Sequence, residues 1–367
     1  MKMRVVDYII EKVYSEGAEH IFFVPGTGCM FLTDALARNK NVTPVSVHHE
    51  QAAGMAAISY AKYNNNLGAC VVTTGCGGTN AMTPLLDAWQ DSVPCVFISG
   101  QANRNQTVHN ASVKLRQMGR QEADITQLTQ HITKYSVMLN DIDNVVYEVE
   151  KAIYLAKEGR KGPSWIDVPM DIQNSMIDPD EQNSYIPPIN KIIPTLEDND
   201  VSQLQDMLCN SERPIILAGN GIRLADAVEE FKVFVDKYRI PVSYSRLGHD
   251  LIETDSDLSI GMVGMLGASR AGNFAIQNAD LVLCIGCRLS VDTTGYEYWK
   301  FAREAKIVVV DIDEQEHSKN TVHIDNFIYA DAKKFFEKMN NLTPPREWKE
   351  WSAKCLHWKE HFPTCID

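Results

Sequence analysis

Three loops in the first half of the chain hold residues that could do chemistry, and each follows a short apolar run. They are VPGTG (24–28), SVHHEQAAGMAA (46–57) and the glycine-rich TTGCGGTNAM (73–82). The glycine-rich loop is similar to a phosphate cradle but lacks the Lys-Ser/Thr ending of a P-loop. Glu50 lies where a strand gives way to a helix of small residues, a place where the helix dipole alone favours a carboxylate. Taken singly, these loops leave both a ligand site and plain structure open.

The elements that position these loops alternate between strand and helix. Apolar runs at 21–24, 69–74 and 93–99 are predicted strands, and the stretch from Glu50 to about Tyr63 is a predicted helix. This alternation predicts a parallel sheet covered by helices on both faces. Open α/β sheets bind ligands at the carboxyl ends of their strands, so the loops after the strands are where a site is expected.

The alternation occurs twice along the chain, which predicts an α/β fold of two doubly wound parallel-sheet domains. We place the first domain at 1–180 and a linker rich in proline and polar residues at 181–195. A Rossmann-like central domain follows at 196–342. Residues 343–367 carry three tryptophans but little strand pattern, and are predicted to form a tail.

Composition narrows the classes of protein. The net charge of −13 argues against binding nucleic acid through the overall field. No apolar run reaches the roughly 20 residues that span a bilayer, and the N-terminus lacks a signal-peptide core. We therefore expect a cytoplasmic protein with no membrane or nucleic-acid partner. The nine cysteines are scattered singly, several within apolar runs, which is typical of reduced, buried thiols.

Two patterns suggest other sites more weakly. Cys355, His357, His361 and Cys365 have spacings that could suit zinc, but they lie in a tryptophan-rich terminal segment, and we predict no metal site in the chain. GNGIR (219–223) gives two glycines after a strand without the third glycine of a dinucleotide fingerprint. A nicotinamide dehydrogenase would also leave the first domain unexplained.

The motifs taken in order are more specific than any one of them. The first domain contains FVPG (23–26), HHEQAAGMAA (48–57), TTGCGGTN (73–80), DSVPCVFISGQ (91–101), RQEADI (120–125) and GPSWIDVPMDIQ (162–173). This set resembles the pyrimidine-binding domain of the thiamine diphosphate enzymes, with the acetolactate synthase large-subunit family most similar in pattern. Four further motifs resemble the central domain of the same family: RPIILAGNGIR (213–223), GMVGMLGASRA (261–271), ADLVLCIGCRLSVDTTG (279–295) and VVVDIDEQE (308–316).

The resemblance implies roles for particular residues. Glu50 would be catalytic, hydrogen-bonding the aminopyrimidine ring nitrogen of thiamine diphosphate, while Gln121 would approach the reacting substrate. The implied reaction is decarboxylation of a 2-keto acid, with the thiazolium ring as electron sink and transfer of the acyl unit to an acceptor. The implied cofactor-binding residues are Pro25, Gly26, Glu50, Thr73, Gly75 and Asn80.

Several features depart from the family pattern. No Gly-Asp-Gly motif occurs in the 367 residues, so the Mg²⁺ that holds the diphosphate is expected on a domain or chain other than this one. Cys76 replaces the usual proline of the glycine loop, and Arg120 stands where acetolactate synthases carry phenylalanine. Residues 103–119 form a longer polar segment. Asp292 replaces an arginine that helps hold flavin, which makes FAD unfavourable.

These departures keep three hypotheses open. The chain is a truncated form or the larger component of a carboligating thiamine diphosphate enzyme, a component of a simple 2-keto acid decarboxylase, or a non-catalytic, partner-binding remnant of the family. Because sites in this family form between subunits, we also expect a homo- or hetero-oligomer.

Overall fold

The computed structural model describes residues 1–188 and 193–364. The chain divides into two compact units, Met1–Ile189 and Asn190–Asp367. This division falls inside the predicted linker at 181–195. Each unit contains one six-stranded sheet in which all strands run parallel, so the predicted α/β class with two parallel-sheet domains is confirmed.

The sheet of the first unit places its longest strands at the centre and its shortest at the edges. A separate two-stranded antiparallel ladder pairs Met3–Arg4 with Met176–Ile177. The order across the parallel sheet is Thr43–Ser46, His20–Phe23, Gly68–Val72, Cys95–Gln101, Ser164–Pro169 and Tyr135–Met138. The helices are Val5–Ser15, Met30–Arg38, Glu50–Asn64, Cys76–Asn80, Met82–Gln90, Ile125–Thr129, Val145–Lys157 and Met170–Gln173.

Both faces of this sheet are buried, as the near-continuous apolar strands predict. Successive side chains of a strand point to opposite faces. Ala69 and Val71 accordingly pack with the helices Val5–Ser15 and Val145–Lys157, while Cys70 and Val72 pack with the small-residue helix Glu50–Asn64. The doubly wound arrangement leaves the strand ends free, and the loops after the strands lie there.

The second unit has the same architecture with its own core. The strand order is Ser259–Met262, Val242–Tyr244, Pro214–Ala218, Leu281–Ile285, Lys306–Asp311 and Asn326–Tyr329. The helices are Asp198–Asn210, Gly221–Leu224, Val228–Tyr238, Arg270–Asn278, Val291–Thr294, Glu314–His317, Ala332–Met339 and Lys349–His361.

The last of these helices lies where the sequence suggests a tail. Trp348, Trp351 and Cys355 are buried in the core of the second unit. The indole N–H of Trp348 donates to the Ser211 carbonyl at 3.0 Å, and that of Trp351 donates to the Pro214 carbonyl at 2.9 Å. The described part of 343–367 therefore packs as part of the second unit.

Candidate functional site

Glu50 is the first residue of the helix Glu50–Asn64 and lies beside the end of a strand. His49 precedes it and caps the helix, because its Nδ1 accepts the backbone N–H of Gln51 at 3.1 Å. The Glu50 carboxylate is half-buried, and its Oε2 accepts a hydrogen bond from the side-chain amide of Asn80 at 2.9 Å. A helix start favours the negative charge, and Asn80 fixes the direction of the carboxylate.

Gly77 keeps the other side of this carboxylate open. A Cβ at this position would lie 2.8 Å from the Thr73 methyl carbon and 3.3 Å from Glu50 Oε1. A larger residue would therefore push against both side chains. Within residues 1–188 and 193–364, no hydrogen bond reaches Glu50 Oε1. One carboxylate oxygen is thus held by Asn80 while the other faces the glycine.

Thr73 joins the glycine-rich loop to the loop that follows the strand His20–Phe23. Its hydroxyl accepts the backbone N–H of Gly28 at 3.1 Å. A Cβ on Gly26 would lie 2.5 Å from the Thr73 Cβ, so a residue without a side chain is needed there. Pro25 is exposed in the same loop. Close contact between two strand-end loops thus forms one wall beside Glu50.

Gly75 makes the tightest contact in this region. Its φ of +64° is in the left-handed region, and a Cβ would lie 1.7 Å from the Gln121 carbonyl oxygen. Gln121 is exposed and itself has a φ of +56°, which is uncommon for a residue with a side chain. The glycine-rich loop and the segment that carries Gln121 are therefore in direct backbone contact.

Glu122 anchors that segment. It is only 5% exposed, and its carboxylate accepts the backbone N–H groups of Val108 at 2.7 Å and of Met118 at 3.1 Å. One buried side chain therefore ties together both ends of the polar stretch between 108 and 118. This fixes the residues immediately before it, including Gln121.

A buried carboxylate lies at the ends of the two neighbouring central strands. Asp167 accepts the Ser99 hydroxyl at 2.6 Å and the Gln101 amide at 2.9 Å. The same amide also donates to the Ala123 carbonyl at 2.9 Å, and the Trp165 indole donates to Ser99 at 2.8 Å. Burial is the main cause that raises the pKa of Asp167 to about 7. This network connects the sheet to the segment beside the glycine-rich loop.

The structure brings most of the predicted site residues together. Gly26, Glu50, Thr73 and Asn80 form one cluster around Gly77, and Gly75 meets Gln121 through its backbone. The structure also shows the contacts of three residues that the sequence did not single out: Gly77, Glu122 and Asp167. All three lie inside motifs quoted from the sequence, but spacing alone could not show what their side chains, or the absence of one, would contact.

The GNGIR stretch of the second unit has no open phosphate cradle. The backbone N–H of Gly219 donates to the Ile285 carbonyl and that of Gly221 donates to the Gly286 carbonyl, both at 2.9 Å. A Cβ on Gly219 would lie 2.1 Å from the Gly286 oxygen. These glycines serve close packing between strand ends, and the helix that follows has four residues.

One cavity of the second unit is also a poor match for a dinucleotide. Its volume is about 260 Å³, below the range typical of ligand pockets, and none of its lining residues is charged. Asn273 uses its side chain to bond both the N–H and the carbonyl of Gly264 in the cavity wall. This cavity therefore offers no charged side chain to the phosphates of a dinucleotide such as FAD.

The described residues contain no group of three or more His, Cys, Asp or Glu side chains arranged to hold a metal. Of the four residues with zinc-like spacing, Cys365 lies outside the described residues. Cys355 is fully buried in the core, and burial raises the pKa of its thiol to about 12. The eight described cysteines are all free, with Cys76 and Cys209 exposed.

Comparison with protein families agrees with the division of the chain into two units. Residues 3–128 match the N-terminal TPP binding domain of thiamine pyrophosphate enzymes, and residues 201–339 match the central domain of thiamine pyrophosphate enzymes. The chain belongs to this family and carries these two domains. Within the part that the structure describes, no helix is both long and apolar enough to cross a membrane.

Similar curated proteins include plant acetolactate synthases. The chain is 34% identical over 346 residues to acetolactate synthase 2, chloroplastic, of Nicotiana tabacum, covering 94% of this chain and 50% of that protein. It is 33% identical over 366 residues to the chloroplastic acetolactate synthase of Arabidopsis thaliana, covering 97% and 52%. For acetolactate synthase 1, chloroplastic, of Zea mays the figures are 34% over 366 residues, covering 97% and 55%. The chain thus spans about half the length of the curated relatives it matches.

Proposed function

We propose that the first unit supplies the aminopyrimidine half of a thiamine diphosphate site in an acetolactate synthase-like enzyme. The observation that carries this proposal is the Glu50 carboxylate, held by Asn80 through one oxygen and left open at the other beside Gly77. When bound, thiamine diphosphate supplies the electron sink for loss of CO₂ from a 2-keto acid.

The residues of this chain then have separate tasks. Glu50 would hold a proton between its open oxygen Oε1 and a ring nitrogen of the bound cofactor, while Asn80 holds the other oxygen, Oε2, and so keeps the carboxylate in position. Thr73 and Gly26 form the wall against which a flat ring packs. In the overall reaction the bond between the keto carbon and the carboxylate carbon of the 2-keto acid breaks, and CO₂ leaves. The keto carbon then forms a new bond to the carbonyl carbon of an acceptor, and the oxygen of that carbonyl takes up a proton.

We further propose that the diphosphate and its Mg²⁺ are held elsewhere, on another segment or a partner chain. Supporting this, the 367 residues contain no Gly-Asp-Gly, and Mg²⁺ prefers carboxylate and phosphate oxygens in octahedral geometry. The curated relatives are about twice as long as the matched region. The open strand-end loops of the first unit are the surface such a segment would cover, in an oligomer.

The second unit is proposed to be structural. The N–H groups of Gly219 and Gly221 are already bonded within the unit, and the cavity is small and uncharged. No step of the reaction is assigned to FAD or to a nicotinamide cofactor there.

The direct test is Glu50→Gln in the enzyme assembled with the segment that holds the diphosphate. We expect the rate of CO₂ release from a 2-keto acid to fall by about 100-fold or more, the scale typical of a lost proton-transfer group. Glu11→Gln, at an exposed position of the same unit, is the matched control and should leave the rate unchanged.

Activity of Glu50→Gln within about threefold of the parent would remove Glu50 from the mechanism. Absence of 2-keto acid turnover in the assembled parent protein would favour the non-catalytic remnant. Release of a free aldehyde with no transfer to any acceptor would favour the simple decarboxylase.

A further inference from the structure

Three basic side chains are concentrated in one short segment beside the candidate site. Lys114, Arg116 and Arg120 are all exposed, and none of them has an ion-pair partner among residues 1–188 and 193–364. The protein as a whole carries a net charge of −13. The proposed reaction assigns no task to this local group of unpaired cations in an acidic protein.

The end of this segment is held against the glycine-rich loop. The carbonyl of Gln121 occupies the space that a Cβ on Gly75 would fill, and Arg120 directly precedes Gln121. The Glu122 carboxylate fixes the other side by accepting the N–H of Met118 at 3.1 Å. Gly119 allows a close turn here, since a Cβ would lie 2.5 Å from the Gln106 carbonyl oxygen.

The acidic groups around the segment already have partners of their own. Glu50 accepts the Asn80 amide, Glu122 accepts two backbone N–H groups, and Asp124 lies 3.0 Å from the ring of His109. None of them is ion-paired to the three cations. The positive charge therefore remains available to a ligand that enters beside the glycine-rich loop.

We propose that Arg120, with Arg116 and Lys114, forms a cationic lip that selects an acceptor bearing a negative charge, either a carboxylate or a phosphate. The selection rests on the proposed function, because it concerns the second substrate of the same site. A cation here would stabilise an anionic acceptor as it approaches and would give no help to a neutral aldehyde.

Cys76 offers a probe of this charge that needs no cofactor and no turnover. Cys76 is exposed and directly follows Gly75, whose backbone contacts the Gln121 carbonyl. Arg120 directly precedes Gln121, so Cys76 and Arg120 lie on opposite sides of this contact. Adjacent Cα atoms are about 3.8 Å apart, which places the two residues within about one Debye length at low salt. Anionic and cationic methanethiosulfonates each form a mixed disulfide with the thiolate and release methanesulfinate. Their rate ratio at Cys76, divided by the same ratio for a small free thiol, reports the local field.

We expect the anionic reagent to be favoured at Cys76 by about threefold or more at low salt, and by much less at about 0.5 M salt. Peptide mass spectrometry reads Cys76 and, as an internal reference in the second unit, the exposed Cys209. Arg120→Gln should remove most of the preference and Arg120→Lys should keep it. Lys40→Gln, which removes an exposed lysine of the same unit, should leave it unchanged.

The substrate arm uses the assembled enzyme with three acceptors: a 2-keto acid, a phosphorylated aldehyde and a neutral aldehyde. Arg120→Gln should lower the kcat/KM ratio of the preferred anionic acceptor over the neutral one by about fivefold or more, and Lys40→Gln should not. Whichever anionic acceptor shows the larger drop identifies the source of the charge.

An absent charge preference at Cys76, or one that Arg120→Gln leaves intact, overturns the lip. Equal kcat/KM for anionic and neutral acceptors in the parent enzyme overturns its role in selection. Failure of the assembled protein to turn over any 2-keto acid refutes the proposed function and the acceptor role with it, whereas the charge at Cys76 is decided separately on the chain alone.

Discussion

The role proposed for Glu50 depends on the residues around its carboxylate. Its position in the sequence alone fits two roles equally well: a carboxylate that stabilises the start of a helix, and a carboxylate that binds a cofactor. Asn80, thirty residues further along the chain, holds one oxygen, and Gly77 leaves the other open. The pair was named from the sequence through family resemblance, whereas the part played by Gly77 required the three-dimensional contacts.

Asp167 leads to a pH prediction at the same scale. Burial raises its pKa from 3.8 to about 7, so the folded protein retains a proton that the unfolded chain releases. The free energy of unfolding should therefore fall as pH rises from about 4 to about 7, by an amount on the order of 3 kcal/mol for this group. Asp167→Asn should flatten that part of the curve, as measured by urea unfolding across pH.

The matched control for this measurement is Asp87→Asn, at an exposed position of the same unit. It should leave the slope of stability against pH unchanged. If Asp167→Asn showed the same slope as the parent protein, the proton uptake would have to belong to another group.

The glycine-rich loop allows a prediction about one element. Gly75→Ala should lower the free energy of unfolding by about 3 kcal/mol or more, because the new Cβ meets the Gln121 carbonyl in addition to the cost of a left-handed residue. Gly159→Ala is the control, since Gly159 has a φ of +55° with nothing within 4 Å of a Cβ. It should cost only about 1 kcal/mol, and equal losses in the two variants would refute the clash.

The helix Lys349–His361 gives a second prediction at this scale. Trp351 is 4% exposed and donates its indole N–H to the Pro214 carbonyl, so Trp351→Ala should destabilise the second unit by about 3–5 kcal/mol. Trp299→Ala, at a side chain that is 65% exposed, should cost under about 1 kcal/mol. Calorimetric unfolding of the pair checks this, and a small loss for Trp351→Ala would show that the helix is dispensable.

The sequence predicts the central strands and the amphipathic helices well. The central strands are apolar on both faces, and each of these helices is apolar along one full face. The strands Tyr135–Met138, Ser259–Met262 and Asn326–Tyr329 were not predicted. They lie at sheet edges and are four residues long each, which is too few for the spacing of apolar residues to distinguish a strand from a loop. The terminal helix Lys349–His361 was not predicted because only two of its residues, Trp351 and Cys355, are buried, so its apolar pattern is weak.

At the scale of the whole molecule, the sequence predicts two parallel-sheet units and the family they belong to. The boundary between the units falls at Ile189 and Asn190, inside the predicted linker. What the pattern of motifs could not supply is the set of backbone contacts between loops that are far apart in sequence. The contact of Gly75 with Gln121 and the anchoring of Met118 by Glu122 arise only when the strands are placed side by side.

The central claim is that this chain provides the aminopyrimidine half of a thiamine diphosphate site. It is tested most directly by calorimetric titration of thiamine diphosphate, with and without Mg²⁺, into the chain alone and into the chain combined with a segment or partner that carries the Gly-Asp-Gly motif. We expect Mg²⁺-dependent micromolar binding only in the combination, and Glu50→Gln should weaken it. Mg²⁺-dependent micromolar binding by residues 1–367 alone, or no binding by the combination, would contradict it.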